Sequence, residues 1–274
     1  MPRVYATGAF DDIRLADIRF LHEASKLGEL HVALWPDGVV ERFTGKPPKF
    51  PHAEREYFLR AIRYVHEVST PQIVASVDAL PLKLAPGEKC QWVLPQHDDT
   101  PSRRAWATAN NVDYRVITAS ALGPLPPAPS TPLNPPSARK KVVVTGCFDW
   151  FHSGHVRFFE ECSELGELYV VVGHDANIRL LKGEGHPLFP AVERRYIADS
   201  IRFVKLALVS SGSGWMDAEP EFVKIKPDIY AVNEDGDKPE KAEFCRKMGI
   251  EYRVLKRTPK EGLPRRESTK LRGF

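Results

Sequence analysis

The sequence predicts an α/β protein made of two tandem domains, each a doubly wound parallel sheet with helices on both faces. Three observations support this prediction. Apolar runs typical of strands alternate with helical stretches, one half of the chain repeats in the other, and a proline-rich stretch separates the two copies. Alternating strands and helices favour a parallel sheet, because each crossover between parallel strands has room for a helix.

The composition is that of an ordinary globular protein. The chain has 274 residues, of which 42% are hydrophobic and 27% charged, enough for two domains. A net charge of +3 without a long basic run does not predict nucleic-acid binding, and no apolar run approaches the length of an integral membrane segment. The four cysteines are scattered, so we expect reduced thiols and no protein-bound metal. With a strand starting at Val4 we expect no signal peptide and a cytoplasmic protein.

The two halves repeat each other in register. Thr7 and Thr145 are 138 positions apart (145 − 7), and the same offset joins the run LGEL at 27–30 to that at 165–168. Matches held along a whole half indicate duplication. The dense prolines between the copies exclude helix and strand pairing. We assign the domains as residues 1–122, a proline-rich linker at 123–139, and residues 140–274.

The centre of the second half is a strand followed by paired histidines. Three consecutive valines at 142–144 predict a strand buried on both faces. Gly146 then allows a backbone bend, and His152 and His155 stand at the start of a helix at about 156–165. Backbone N–H groups and the helix dipole favour an anion there, and the imidazoles add two donors. The alternative is that His152 only caps the helix and His155 lies on the surface.

The rest of the second half continues the alternation. Strands are expected at 168–172, 207–210, 228–232 and 252–255, and helices at about 191–204, 218–226 and 238–248. No G-x-G-x-x-G follows a strand, so a dinucleotide site is not predicted. Such sheets bind ligands beyond the C-terminal strand ends, where the strand order reverses, and the histidine turn follows the first strand there.

This turn resembles the G-x-F-D-x-x-H-x-G-H motif of the cytidylyltransferase-like nucleotidyltransferases, at 146–149 and 152–155. The family includes cytidylyltransferases for glycerol 3-phosphate, phosphocholine and phosphoethanolamine, and adenylyltransferases for heptose phosphate, pantetheine phosphate and FAD. The resemblance implies Rossmann-like nucleotidyltransferase domains. It also implies attack of a substrate phosphate on the α-phosphorus of a nucleoside triphosphate, with release of pyrophosphate. The protein then has to align the reactants and neutralise developing charge.

The resemblance marks four catalytic candidates: His152, His155, Lys182 and Arg194. The histidines would stabilise charge on the α-phosphate, and removing one would cost about 3–4 kcal/mol of barrier. Lys182, expected in a flexible glycine-containing loop, would approach the phosphates, unless it is a solvated loop lysine. Arg194 matches a phosphate-contacting arginine, although its copy Arg55 in the first half points to a partly structural role.

Three segments supply the expected nucleotide contacts. They are the first turn, the loop after the fourth strand, where the family has a G-D-D-like run, and a C-terminal stretch that resembles the family's R-T-x-G-I-S-T ending with an insertion. The candidates are Thr145, Gly146, Cys147, Phe148, Gly154, Asn233, Asp235, Arg257, Arg266, Ser268 and Thr269.

Several roles within this set stay open. Backbone N–H groups of the first turn would hold phosphate or ribose oxygens, with Phe148 itself in the core. Ser268 and Thr269 would cap a final helix and donate to phosphates, or form a plain cap. The insertion leaves open whether Arg257 or one of Arg265 and Arg266 is the family's arginine. If the loop after the fourth strand does not contact the nucleotide, it is an acidic surface turn.

The first half lacks this chemistry. Arg14 and Asp17 stand where the second half has its histidines, and Ala16 replaces the glycine between them. A carboxylate at Asp17 would repel phosphates, and the pair Ser268 and Thr269 has no counterpart. We expect an inactive, structural copy; the alternative is a divergent site with another substrate.

The identities of the nucleotide donor and of the phosphorylated acceptor stay open. The tandem arrangement is similar to that of phosphoethanolamine cytidylyltransferase, which favours CTP and a small phosphorylated alcohol, polyol or phosphonate. The run LKGEGHP at 181–187 resembles heptose-phosphate adenylyltransferases instead, so ATP with a sugar phosphate stays open, as does a non-catalytic nucleotide binder. Mg²⁺ is expected on the nucleotide itself. The two halves are expected to pair as an intramolecular pseudo-dimer.

Overall fold

The structure, a computed structural model, describes residues 3–82, 89–128, 133 and 135–271, without the side chain of Thr269. It separates into two compact units, Met1–Pro124 and Leu125–Phe274, which we call the N-terminal unit and the C-terminal unit. Among the described residues, none of the helices combines the length and hydropathy that a membrane crossing requires.

The N-terminal unit is an α/β sheet. Its strands are β1 (Arg3–Gly8), β2 (Glu29–Leu34), β3 (Glu67–Ser69), β4 (Cys90–Pro95) and β5 (Asp113–Ile117). Its helices are α1 (Leu15–Ser25), α2 (Asp37–Thr44), α3 (His52–Ala61), α4 (Pro101–Ala109) and α5 (Ala119–Leu122).

The C-terminal unit repeats this pattern. Its strands are β6 (Lys141–Gly146), β7 (Glu167–Val172), β8 (Val204–Val209), β9 (Ile229–Asn233) and β10 (Glu251–Leu255). Its helices are α6 (Ser153–Leu165), α7 (Asp175–Lys182), α8 (Ala191–Asp199), α9 (Glu219–Ile225), α10 (Pro239–Met248) and α11 (Ser268–Leu271).

Both sheets are parallel and share one strand order, which confirms the predicted fold class. The orders are β3-β2-β1-β4-β5 and β10-β9-β6-β7-β8, the same arrangement read from opposite ends. The order reverses beside β1 and β6. Strand β6 pairs with β9 only through Val142 and Val143, so the two strands part before their C-terminal ends. A crevice opens there, where sheets of this kind bind ligands.

The strand β6 is buried on both faces, as its three valines predict. Val142, Val143 and Val144 have 0% exposed surface. On one face, Val143 belongs to a core with Phe222 and Tyr230. The strand that carries the histidine turn is therefore fixed by apolar burial on both sides.

Two predictions about helices are wrong. The helix expected over 191–204 ends at Asp199. Ser200 is its C-cap, with a backbone N–H that donates to the carbonyl oxygen of Tyr196 at 3.0 Å, and β8 begins at Val204. A further helix, α7, forms where a loop was expected. Its N-cap is His174, whose Nδ1 accepts a hydrogen bond from the backbone N–H of Asn177 at 3.2 Å.

The described part of the proline-rich stretch packs on the C-terminal unit. Leu133 contacts the core of that unit, and the guanidinium of Arg195 donates to the carbonyl oxygen of Pro126 at 2.7 Å. These contacts explain why the two units divide between Pro124 and Leu125.

Candidate active site

One cavity, about 330 Å³ in volume, lies at the C-terminal ends of β6 and β9. It gathers the first turn, the end of α7, the loop after β9 and the C-terminal stretch. The predicted site residues that line it are Thr145, Gly146, Cys147, Phe148, Gly154, His155, Lys182, Asn233, Asp235, Arg257 and Ser268. The lining also contains residues that were not predicted to bind: Asp149, Phe158, His186, Val232, Gly236, Lys241 and Glu267.

The turn after β6 depends on Phe148, whose backbone lies in the left-handed region with a φ of 50°. A Cβ added to Gly146 would lie 2.8 Å from the Phe148 ring, so only glycine fits without a shift. The same ring meets the His155 ring edge-on, with centroids 5.3 Å apart. Phe148 is buried, as predicted, and it orients the turn and His155 from the core.

His152 is the N-cap of α6. Its Nδ1 accepts a hydrogen bond from the backbone N–H of Gly154 at 3.1 Å. A Cβ on Gly154 would come within 2.9 Å of the His152 ring, which explains the glycine between the histidines. His152 is buried and absent from the cavity lining, and its ring stacks on that of His155 with centroids 4.0 Å apart. His152 therefore caps the helix, and its imidazole also supports His155.

His155 is the histidine that lines the cavity, and its surroundings favour the neutral imidazole. Burial lowers the pKa of His155 well below its usual value, and electrostatic repulsion from His152, Arg257 and Lys182 lowers it further. Its Nδ1 is buried and has no hydrogen-bond partner among the described residues. A neutral imidazole keeps one N–H, which can donate to a phosphate oxygen, while the two cations supply positive charge.

Lys182 is the last residue of α7 rather than part of a flexible loop, which corrects the expectation. The helix ends at Gly183, whose φ of 85° closes the last turn. The Lys182 side chain is exposed, lines the cavity and influences His155 electrostatically. The structure thus fixes the backbone of Lys182 and leaves its ammonium at the mouth of the cavity.

Arg257 is the arginine of the C-terminal stretch that lines the cavity. Its guanidinium donates to the Asp235 carboxylate at 2.5 Å and to the carbonyl oxygen of Arg266 at 2.9 Å. Arg265 and Arg266 lie beside a small neighbouring cavity instead. Among the three alternatives, the geometry favours Arg257, with Asp235 and Arg266 holding it in place.

Lys241 is a cation that the sequence did not single out. Its ammonium donates to the carbonyl oxygen of Gly236 at 2.8 Å and lies 5.7 Å from the centroid of the Tyr230 ring. Burial lowers the pKa of Lys241, and repulsion from Lys238 adds to this. Its position in the first turn of α10, directly after the acidic loop, was the available signal.

The C-terminal helix α11 begins at Ser268, so Ser268 is its first residue and not the predicted cap. The carbonyl oxygen of Glu267 accepts from the N–H groups of Lys270 and Leu271, which makes Glu267 the residue at the cap. The Ser268 hydroxyl donates to the carbonyl oxygen of Trp150 at 3.1 Å and so joins this stretch to the first turn. The side chain of Thr269 lies outside the described residues.

Arg194 does not line the cavity, and the geometry contradicts its assignment as a phosphate ligand. Its side chain has 0% exposure. The guanidinium donates to the carbonyl oxygens of Phe189 at 2.7 Å, Cys147 at 2.6 Å and Gly173 at 2.8 Å, and to the Asp175 carboxylate at 2.7 Å. Arg194 therefore ties the first turn to the end of β7 and the start of α8.

The copy of Arg194 in the N-terminal unit makes the equivalent contacts. The guanidinium of Arg55 donates to the carbonyl oxygens of Phe50 at 3.0 Å and Trp35 at 2.9 Å, to that of Ala9, and to the Asp37 carboxylate at 2.6 Å. The same bonds in a unit without the paired histidines show that this arginine is a structural clamp. The sequence signal was the survival of Arg55.

Asp149 braces the turn. Its Oδ1 accepts from the backbone N–H groups of Leu188 at 2.7 Å and Phe189 at 3.0 Å. The carboxylate thus links the first turn to the loop before α8. It lines the cavity with its Oδ1 engaged by these two backbone donors.

The N-terminal unit has a larger cavity at the equivalent place, about 500 Å³ in volume. Asp17 lines it where the C-terminal unit has His155, and no lysine or arginine belongs to its described lining. The Asp17 carboxylate accepts from the backbone N–H of Arg14 at 2.8 Å, and the Arg14 guanidinium pairs with Asp12. This crevice therefore carries negative charge where the other carries cations.

The fold and the site define a class. A neutral histidine, two cations and backbone N–H groups meet at the switch point of a doubly wound sheet, the arrangement of a nucleotide-binding α/β enzyme that acts on phosphates. A family model described as "Cytidylyltransferase-like" matches residues 143–251.

The relatives agree with this match. The FAD synthase of Ferroglobus placidus is 36% identical over 135 residues, which cover 48% of this chain and 85% of that protein. The FAD synthase of Archaeoglobus profundus is 34% identical over 134 residues, covering 48% of this chain and 83% of that protein. The bifunctional protein HldE of a Nitratiruptor species is 36% identical over 99 residues, 35% of this chain but 21% of that protein.

The chain belongs to the cytidylyltransferase-like family of nucleotidyltransferases. A crystal structure of the lipopolysaccharide core biosynthesis protein from Thermoplasma volcanium aligns over 45% of this chain and 100% of that chain, with 27% identity and a TM-score of 0.38.

Proposed function

We propose that the C-terminal unit transfers a nucleotidyl group from a nucleoside triphosphate to a small phosphorylated acceptor. The observation that carries the proposal is the single cavity that joins His155, Lys182 and Arg257 to the backbone of the first turn. This set offers one neutral donor, two cations and a row of N–H groups, which together suit the oxygens of a triphosphate.

The chemistry follows from that set. An oxygen of the acceptor phosphate attacks the α-phosphorus, the bond from that phosphorus to the bridging oxygen breaks, and pyrophosphate leaves with the electron pair. Because the acceptor is already ionised, no side chain has to remove a proton. His155 donates its N–H to an α-phosphate oxygen, and Lys182 and Arg257 neutralise the charge that builds there.

ATP is the donor that the relatives favour. A protein named FAD synthase makes a dinucleotide that contains adenine, and two such proteins match this chain over more than four-fifths of their own length. Flavin mononucleotide is accordingly the first acceptor to test. CTP with a phosphorylated alcohol, polyol or phosphonate rests on the tandem arrangement, and no named relative supports it. It stands as the second candidate.

Mg²⁺ fits this site as an ion carried by the nucleotide. The carboxylates of the lining are already engaged: Asp149 with backbone N–H groups, Asp235 with Arg257 and Glu267 with Lys270. The protein would hold the ion through the phosphates, and the ion would offset their charge. We also propose a cytoplasmic setting, supported by four cysteines that are free thiols.

The N-terminal unit is proposed to be catalytically inactive. The support is the charge of its crevice, where Asp17 replaces His155 and the described lining has no lysine or arginine. An intramolecular pseudo-dimer of the two units, in which the inactive one supports the other, is part of the same proposal and rests on the duplication.

The test is pyrophosphate release by the full chain. Each of the four nucleoside triphosphates is combined with flavin mononucleotide, sugar phosphates, phosphorylated alcohols and phosphonates. We expect turnover with ATP and one class of acceptor. Turnover with CTP alone would show that the donor is CTP and not ATP. Nucleotide binding without turnover for every pair would show a binding protein and overturn the enzyme.

A further inference from the structure

A cluster of metal-ligand side chains lies in the N-terminal unit, at the opposite end of the sheet from the crevice. Glu29 and His31 are at the start of β2, and His66 directly precedes β3. Each side chain offers one ligand atom, and these atoms all lie within 4.8 Å of one another. None of the three lines the cavity of this unit.

The strands build this cluster. Glu29 and His31 are two positions apart on β2, so their side chains leave the sheet on the same face. His31 pairs with Glu67 across the β2–β3 ladder, and the backbone N–H of His66 donates to the carbonyl oxygen of Leu30 at 2.8 Å. The backbone therefore holds the three ligand groups together before any ion binds.

His31 has the surroundings of a metal ligand. Its Nδ1 lies 3.0 Å from a carboxylate oxygen of Glu67, and this carboxylate favours the tautomer with the proton on Nδ1 and the lone pair on Nε2. That Nε2 is buried and has no hydrogen-bond partner among the described residues. A carboxylate behind one ring nitrogen and an unused, buried lone pair on the other is the arrangement by which proteins orient histidine ligands.

The C-terminal unit shows what occupies the same place without such a cluster. Glu29 corresponds to Glu167, His31 to Tyr169 and, with the slip of one residue, His66 to Lys205. There the ammonium of Lys205 lies 3.4 Å from the Glu167 carboxylate and links β7 to β8. The N-terminal unit has the carboxylate, but one imidazole stands in place of the ammonium and the other in place of the Tyr169 phenol, so a bound cation would supply the positive charge.

We propose that Glu29, His31 and His66 bind one zinc ion, with Glu67 positioning His31 and water as the fourth ligand. Two imidazoles and a carboxylate form a donor set that suits zinc. The ion links the start of β2 to β3 and stabilises the N-terminal unit, and nucleotidyl transfer does not involve it. The proposed site departs from the expectation of no protein-bound metal, which rested on cysteine spacing. His31 and His66 are 35 positions apart (66 − 31) and meet only through the sheet.

The experiment is titration of the full chain, freed of metal with a chelator, with ZnCl₂ alone and no nucleotide. We expect one zinc per chain and a higher thermal midpoint of the N-terminal unit. His66→Lys introduces the residue type that the C-terminal unit has at the matched position 205. This variant and Glu29→Gln should retain the fold and weaken zinc binding at least tenfold. His97→Ala, an exposed histidine of the same unit, and His155→Ala in the other cavity should bind zinc as the unaltered chain does.

Two results would overturn the site. One is the absence of stoichiometric zinc in the unaltered chain. The other is zinc binding that survives both His66→Lys and Glu29→Gln, which would place the ion elsewhere.

Discussion

The first crossovers of the two units share two structural features. Phe10 and Phe148 both take the left-handed conformation, with φ values of 45° and 50°. The aspartate that follows braces the turn in each unit, and Asp11 accepts from the N–H groups of Lys49 at 2.6 Å and Phe50 at 2.9 Å. The shared geometry therefore belongs to a set of residues that the duplication has kept.

The side chains that face the crevice differ in charge. His155 is a neutral donor beside two cations, whereas Asp17 at the matched position is an acid that accepts from the backbone N–H of Arg14, the N-cap of its helix. The comparison teaches that one set of residues maintains the turn and another performs the chemistry. A duplicated unit can lose the second set while its fold persists, and the following variants test that separation.

The largest expected effect concerns the buried arginines. Arg194→Met and Arg55→Met each remove a buried guanidinium that donates to three carbonyl oxygens and to a carboxylate. We expect each to lower the free energy of unfolding of its own unit by about 2–4 kcal/mol, because the guanidinium is buried while its carboxylate partner is partly exposed. Denaturant unfolding, monitored by hydrogen exchange of the amides in each unit, measures this loss of stability. A loss of activity in Arg194→Met without loss of stability would instead make that arginine a catalytic residue.

The next effect separates the two turn glycines. A Cβ on Gly146 meets the Phe148 ring at 2.8 Å, while one on Gly8 meets the Phe10 ring at an ordinary 3.6 Å. Gly146→Ala should therefore destabilise the C-terminal unit by about 1–3 kcal/mol through overpacking. Gly8→Ala is the matched control and should change the stability of its unit by under about 0.5 kcal/mol. Equal costs in both units would show that the ring contact does not matter.

A smaller effect is a difference in pH dependence. Folding lowers the pKa of His155 below its usual 6.5, so the unfolded chain binds the proton more readily and the C-terminal unit loses stability as pH falls through 6.5. Burial raises the pKa of Asp17 above 3.8, so the N-terminal unit loses stability as pH rises through that raised value. Unfolding followed from pH 8 to pH 4 should show these opposite trends.

Two neutral substitutions check the assignment of these trends. His155→Gln should flatten the acid-side loss in the C-terminal unit, and Asp17→Asn should flatten the loss on raising pH in the N-terminal unit. Profiles that keep their shape in both variants would assign the pH dependence to other groups.

Much of the fold was readable from local patterns. The three valines before Thr145, the repeat and the alternation of elements predict two parallel sheets with the turn at the switch point. These features are set by neighbours in the chain. The helix α7 was missed because its cap is a histidine, His174, and the end of α8 because Ser200 carries no strong stop signal.

The site residues that belong to a sequence motif could be predicted, whereas the roles that depend on side-chain packing could not. His155 and the first turn follow from the histidine motif. The burial of Arg194 depends on which atoms the folded chain brings near it, and its copy Arg55 was the one sequence signal. The cap of His152 is local, because its partner Gly154 is two positions away, and the sequence left it as an alternative. Lys241 and the cluster at His31 arise from elements far apart in sequence that the sheet brings together.

The most direct test compares pyrophosphate release at saturating ATP and acceptor by two single variants at matched positions, His155→Ala and Asp17→Ala. If the C-terminal cavity alone carries the reaction, kcat falls about 10²–10³-fold in His155→Ala, as for loss of a transition-state donor, and stays within about twofold in Asp17→Ala. Unchanged kcat in His155→Ala together with a large loss in Asp17→Ala would contradict the account.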